Sequence, residues 1–137
     1  MRGNKGFTLV ELMVVAVIVA ILAAVAIPLM SANKKRAMAT EAQAGLGTIR
    51  TALRGMYAQT GAYNKNLNDA TIANGSSVTN LPGISGGDLD GKYFTQNNYT
   101  LTTLAQNTYL VTCVGTGTVA GVKITLDQSG AFQSTGM

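Results

Sequence analysis

The chain has no histidine, no tryptophan, one cysteine (Cys113) and only two prolines (Pro28 and Pro82) in 137 residues. A lone thiol closes no intrachain disulfide. Without histidine there is almost no material for a nucleophile–base dyad or a His/Cys metal site, so the composition argues against an enzyme. Cys113 sits in an apolar, β-rich run and reads as a small core residue. Charge is scarce too, at 12% of residues, and unevenly placed. Arg2 and Lys5 precede a long apolar run, and Lys34, Lys35, Arg36, Arg50 and Arg54 follow it, opposed only by Glu41. From Gly55 onward three lysines face four aspartates, a balance of −1. The net charge of +4 therefore belongs to the first part of the chain and predicts no nucleic-acid surface. The three Phe and five Tyr fall mainly in the second half and form no continuous stacking platform for single strands.

What the sequence does have is Gly6–Met30, GFTLVELMVVAVIVAILAAVAIPLM. From Leu12 to Met30 it runs 19 residues without a charge, close to the ~20 that a helix needs to cross a bilayer. Three readings compete. In a secretory signal peptide, Met1–Lys5 would be the charged region and Ala24-Val25-Ala26 the cleavage site; such a chain would be a secreted or anchored binding protein. Against this, the apolar run continues past Ala26, and Glu11 lies inside it. A plain membrane anchor explains the length but leaves an acid that costs ~2.5–3.5 kcal/mol near a helix centre, and less near its end. The third reading cuts the chain between Gly6 and Phe7, creating an amine four residues before Glu11. Positions i and i+4 are one helical turn apart. The carboxylate can then face the amine of its own chain or, in a staggered bundle, that of a neighbour, and so fix register between copies.

Gly6-Phe7-Thr8-Leu9-Val10-Glu11 resembles the processing motif of type IV prepilins: a short basic leader ending in Gly, then Phe, with Glu at the fifth mature position. The likeness covers about the first 30 residues closely, through Pro28. It implies that a prepilin peptidase cuts after Gly6 and N-methylates Phe7, and that Glu11 with Phe7 serves subunit docking. It further implies a precursor held in inner-membrane lipid, leader cytoplasmic and head outside, which an assembly platform feeds into a cell-surface or periplasmic homo-oligomeric filament. Positive charges alone do not set this orientation, because they tie on the two sides once the initiator amine is counted. Two family members remain open: a type IV pilin, and a pseudopilin of type II secretion. The Asp-Pro-Trp-Gly element of the major pseudopilins is absent, as is the C-terminal cysteine pair of many type IVa pilins.

Beyond Ser31 the apolar residues become periodic. Met38, Ala42, Leu46, Ile49, Leu53 and Met56 form a one-sided helical stripe. One helix is therefore expected over about residues 7–58, stopping at Thr60-Gly61, with Pro28 as a kink. Gly45, Gly47 and Gly55 each cost about 1 kcal/mol relative to Ala, and close packing against a sheet would account for them. Tyr63–Lys92 reads as a long surface connection anchored by Leu67, Ile72, Val78, Leu81 and Ile84, with a short helix at Asn66–Ala73. Strands follow at Tyr99–Leu104, Thr108–Val114, Val119–Leu126 and Ala131–Ser134. The fold class is α+β: a leader (1–6), a transmembrane assembly half of the helix (7–30), and a head (31–137) in which the helix packs on three or four antiparallel strands. No cofactor is expected. Asp88 and Asp90, beside glycines, faintly suggest a calcium loop, but no third acid follows at the needed spacing.

Overall fold

The computed structural model describes residues 6–136; Met1–Lys5 of the expected leader lie outside them. The order is one helix, α1 (Leu9–Thr60), a long connection, and four strands, β1 (Tyr99–Leu104), β2 (Tyr109–Val114), β3 (Lys123–Asp127) and β4 (Phe132–Thr135). The chain divides into two compact units, one ending at Lys34 and the other beginning at Lys35.

In the first unit, α1 starts on a capping box. Thr8 precedes the first helical residue, and its carbonyl accepts the Leu12 amide at 3.3 Å. Its hydroxyl accepts the Glu11 amide at 3.3 Å, while Glu11 Oε2 accepts the Thr8 amide at 2.8 Å, which is the reciprocal pattern of a Thr-x-x-Glu start. The helix is unbroken at Pro28, and the Ser31 hydroxyl donates to the Pro28 carbonyl at 2.9 Å.

In the second unit, the expected stripe is the buried face of α1: Met38, Ala42, Leu46, Ile49, Leu53 and Met56, with Ala39 beside them. The helix ends as its residues predict, two positions later than expected. Gly61 takes φ +72°, and its amide donates to the Tyr57 carbonyl at 2.8 Å, satisfying one of the last turn's free acceptors.

The sheet is an antiparallel meander, β1-β2-β3-β4. Register aligns Tyr99 with Cys113 and Leu101 with Val111, then Cys113 with Ile124 and Val111 with Leu126, so one face presents a continuous apolar ladder. These side chains share one core with the α1 stripe. A shift of register between Leu101 and Thr103 turns Leu104 inward as well. On the other face the Thr102 hydroxyl donates to that of Thr112 at 2.7 Å. Every residue of β4 is exposed.

Three local expectations need correction. Asn66–Ala73 is no helix: Asn66 Oδ1 accepts the amides of Asn68 and Ala70, Asp69 has φ +61°, and Lys65 bridges to Thr71. An Asn side chain competes with the helix for backbone donors, and here Asn66 wins. The third strand begins at Lys123, because Gly117–Val119 forms a 3-10 turn. Of the connection's anchors, Ile72, Val78, Leu81 and Ile84 are buried, but Leu67 is exposed.

The glycines separate by environment. A Cβ on Gly45 would collide with the Tyr99 ring, whereas at Gly47 and Gly55 nothing stands within 4 Å. Close packing within the chain thus explains Gly45 alone. Gly45→Ala should therefore destabilise the detergent-solubilised chain by about 1–3 kcal/mol, and Gly47→Ala should stabilise it by roughly 0.5–1 kcal/mol. Thermal unfolding followed by circular dichroism checks both signs; a Gly45→Ala chain melting at or above the parent temperature contradicts the packing account.

Candidate assembly interface

In the first unit Glu11 and Pro28 lie on an exposed helix, and Gly6 and Phe7 lie just before it. The large apolar side chains from Phe7 to Met30 are 51–79% exposed. The helix is long and apolar enough to cross a membrane, and none of its most apolar 18-residue window is buried. Apolar patches beyond a few hundred Å² are rare on monomeric soluble proteins and mark contact with lipid or protein.

Glu11 is where the structure adds most. The Thr8 hydroxyl donates to Glu11 Oε2 at 2.7 Å, on the same oxygen that accepts the Thr8 amide. Among the described residues, Oε1 accepts no hydrogen bond. The carboxylate is thus half satisfied by its own helix start and keeps one oxygen for another donor. Phe7 is exposed beside it, at the chain position where cleavage after Gly6 would leave an amine. Thr8 escaped the sequence reading, although the Thr-x-x-Glu spacing before an apolar run carries the signal.

The second unit holds the head together around another glutamate. Glu41, read from sequence only as a lone acid among cations, accepts the Tyr93 and Phe94 amides on Oε1, both at 2.8 Å. The Gly91 backbone packs so closely that a Cβ there would fall on the Glu41 carboxylate. Burial pushes this carboxyl up, but the amides of Phe94, Tyr93 and Lys92 outweigh burial and hold it below the usual carboxylate value. No local pattern marks such a role, because its partners lie some fifty residues away. Burial pushes the Cys113 thiol up to about 12, which suits an inert core residue.

Asp88 and Asp90, the weak calcium candidates, are each engaged by backbone. Asp88 Oδ2 accepts the Ser85 amide and Asp90 Oδ1 the Gln96 amide, both at 2.7 Å. Among the described residues no three acidic, histidine or cysteine side chains converge as a metal site would require.

A family model, the prokaryotic N-terminal methylation motif, matches residues 1–27. The type IV major pilin PilA of Myxococcus xanthus is 37% identical over 70 residues, 51% of this chain and 32% of that protein. The type IV major pilin PilE of Neisseria gonorrhoeae is 40% identical over 75 residues, 55% of this chain and 45% of its own length. A solved structure of the minor pilin PilV of Neisseria meningitidis superposes with a TM-score of 0.50 over 77% of this chain and 90% of that one, at 16% identity. The N-terminus carries the methylation motif, and the fold resembles that of the minor pilin PilV. The chain spans less than half the length of the curated pilins it matches. The matched relatives are named as pilus subunits, not as enzymes.

Two expectations follow from this geometry. Thr8→Ala removes the hydroxyl from the helix start and should weaken the first turn by about 1 kcal/mol. Faster hydrogen exchange at the Leu12 amide, in micelles, is the readout. For the head, a carboxyl whose folded pKa is depressed stabilises above its unfolded value and loses that contribution as pH falls through the folded pKa. The unaltered chain should therefore lose stability on acidification below the ordinary glutamate value of 4.5. Glu41→Gln should show a flatter pH dependence in this range, and Glu41→Ala should cost about 1 kcal/mol at neutral pH by removing the acceptor of two part-buried amides. Parallel melting curves of parent and Glu41→Gln chains from pH 7 to 3 would count against the assignment.

Proposed function

We propose that this chain is the structural subunit of a type IV pilus-like filament. The observation that carries the reading is Glu11: an acid fixed at the start of an uncovered apolar helix, with one oxygen unspent, four residues after the Gly6–Phe7 bond. The precursor waits in the inner membrane with its leader cytoplasmic and its head outside, and lipid covers the helix. A prepilin peptidase removes Met1–Gly6 and N-methylates Phe7. The new ammonium is then the complementary partner of Glu11 in a neighbouring copy, and the assembly platform exchanges lipid for sister helices.

The alternative within the same family is a type II secretion pseudopilin. The names of the relatives and the absent Trp-containing element favour the pilus. Long sheared filaments containing the chain would mark a pilus, whereas a secretion defect without surface fibres would mark a pseudopilus.

Two measurements test the core of this reading. Intact mass should show loss of Met1–Gly6 plus one methyl group; a mature chain starting after Ala26 would instead identify an ordinary signal peptide. Glu11→Ala should insert into the membrane normally yet give few or no filaments, and wild-type filament yield from that variant would sink the docking role.

A further inference from the structure

Two dipeptides in the second unit carry a chemistry that assembly does not use. Asn74-Gly75 and Asp90-Gly91 are the two places in the sequence where an Asn or Asp precedes glycine. In such a pair the glycine amide nitrogen can attack the side-chain Cγ, because no Cβ obstructs the approach. At Asn74 the new bond joins Gly75 N to Cγ, the Cγ–Nδ2 bond breaks, and ammonia leaves with the proton that the amide gives up. At a protonated Asp90 the same attack by Gly91 N expels water. Water then opens either succinimide at one of its two carbonyls, leaving aspartate or isoaspartate. The balance needs water alone.

The fold engages both reactants at both pairs. Asn74 Oδ1 accepts the Leu104 amide at 2.6 Å, and the Gly75 amide donates to the Leu101 carbonyl at 2.7 Å. Asp90 Oδ1 accepts the Gln96 amide at 2.7 Å, and the Gly91 amide donates to the Phe94 carbonyl at 2.8 Å. Two unrelated turns thus share one pattern, with the electrophile's oxygen and the nucleophile's hydrogen each tied to backbone. Donation to Oδ1 polarises Cγ and alone would help the attack. The bond at nitrogen opposes it and prevails, because the amide must give up a hydrogen bond before it can give up its proton.

Each lock belongs to a larger contact. Residues 74–77 run along the outer edge of β1, where the Leu101 amide donates to the Ser76 carbonyl and Ser77 bridges to Thr100; Val78, just beyond, is fully buried. Gly91 lies against the Glu41 carboxylate, which also holds the Tyr93 and Phe94 amides. Local opening of either stretch, with the core intact, is enough to free its glycine amide.

We propose that Asn74-Gly75 and Asp90-Gly91 are sites of spontaneous isoaspartate formation that the folded head keeps locked, each released when its own turn detaches. Isoaspartate inserts Cβ into the main chain, so the product cannot restore the hydrogen bonds that held the turn, and conversion runs one way. Both locks lie within one chain and do not depend on assembly.

Ageing the detergent-solubilised full chain at neutral pH, folded and in urea, tests this by peptide mapping. Deamidation at Asn74 shows as a change of mass, and isomerisation at Asp90 as a shifted chromatographic peak of unchanged mass. In urea Asn74 should convert ahead of every other asparagine, and folding should slow both pairs by about ten-fold or more. Equal rates in the two states, or another asparagine leading in urea, overturn the proposal. Two variants separate local release from global unfolding. Glu41→Ala should speed conversion at Asp90 about five-fold with little change at Asn74, and Val78→Ala should do the reverse. Acceleration of both pairs by both variants ties release to global unfolding and overturns the local locks. Should melting curves show that either variant fails to fold, hydrogen exchange in the unaltered chain decides. Gly75 and Gly91 amides exchanging before those of β2 support local release, and exchange together with them overturns it.

Discussion

The constraint on which the rest depends is an apolar helical surface that its own unit leaves uncovered. From Phe7 to Met30 the large side chains are all exposed, while the second unit has a closed core of its own. Burial of apolar area contributes roughly 25 cal/mol per Å², so this surface strongly favours any environment that removes it from water. Lipid would do so for a single chain, and other copies would do so in the proposed filament. A chain whose folded form still needs one or the other is suited to moving between them, which is the physical content of proposing it as a pilus subunit.

In the proposed filament, Glu11 would make that exchange specific. Apolar helices slide past one another with little preference, since one lipid-like contact resembles the next. A single carboxylate breaks the degeneracy, because only one axial register brings it to a donor. The capping box adds a condition on geometry. Thr8 holds Oε2 through both its amide and its hydroxyl, so the acid is neither unsatisfied before assembly nor free to swing between rotamers. The same two bonds that start the helix therefore aim the group that would register its neighbours.

Much of this was legible in the sequence because it rests on local patterns. The uncharged run announced the first half of α1, the 3-4 spacing from Met38 to Met56 its buried face, and Thr60-Gly61 its end. Three strands were placed within two residues, and the order of the meander followed from its short turns. The third strand and the Asn66–Ala73 connection were misjudged, because backbone amides donating to the Asn66 side chain and a 3-10 turn opening on Gly117 override propensity there. Thr8 was legible and overlooked. Glu41 was not legible, since its role is to satisfy amides of residues 93 and 94, and no periodicity links positions so far apart.

The glycines show how far intrachain packing can explain a helix of this kind. Gly45 is required by the Tyr99 ring, which lies where a Cβ would stand. Tyr99 in turn is buried beside Cys113, its cross-strand partner, so a helix glycine and a buried thiol are parts of one packing solution. Burial pushes the Tyr99 hydroxyl well above its ordinary value, and it stays neutral in that core. Gly47 and Gly55 have no such neighbour, and each weakens the helix by about as much as Gly45 does. Within one chain that weakening has no compensation on the exposed side of α1. The same outer face carries Arg54, exposed and in no ion pair among the described residues.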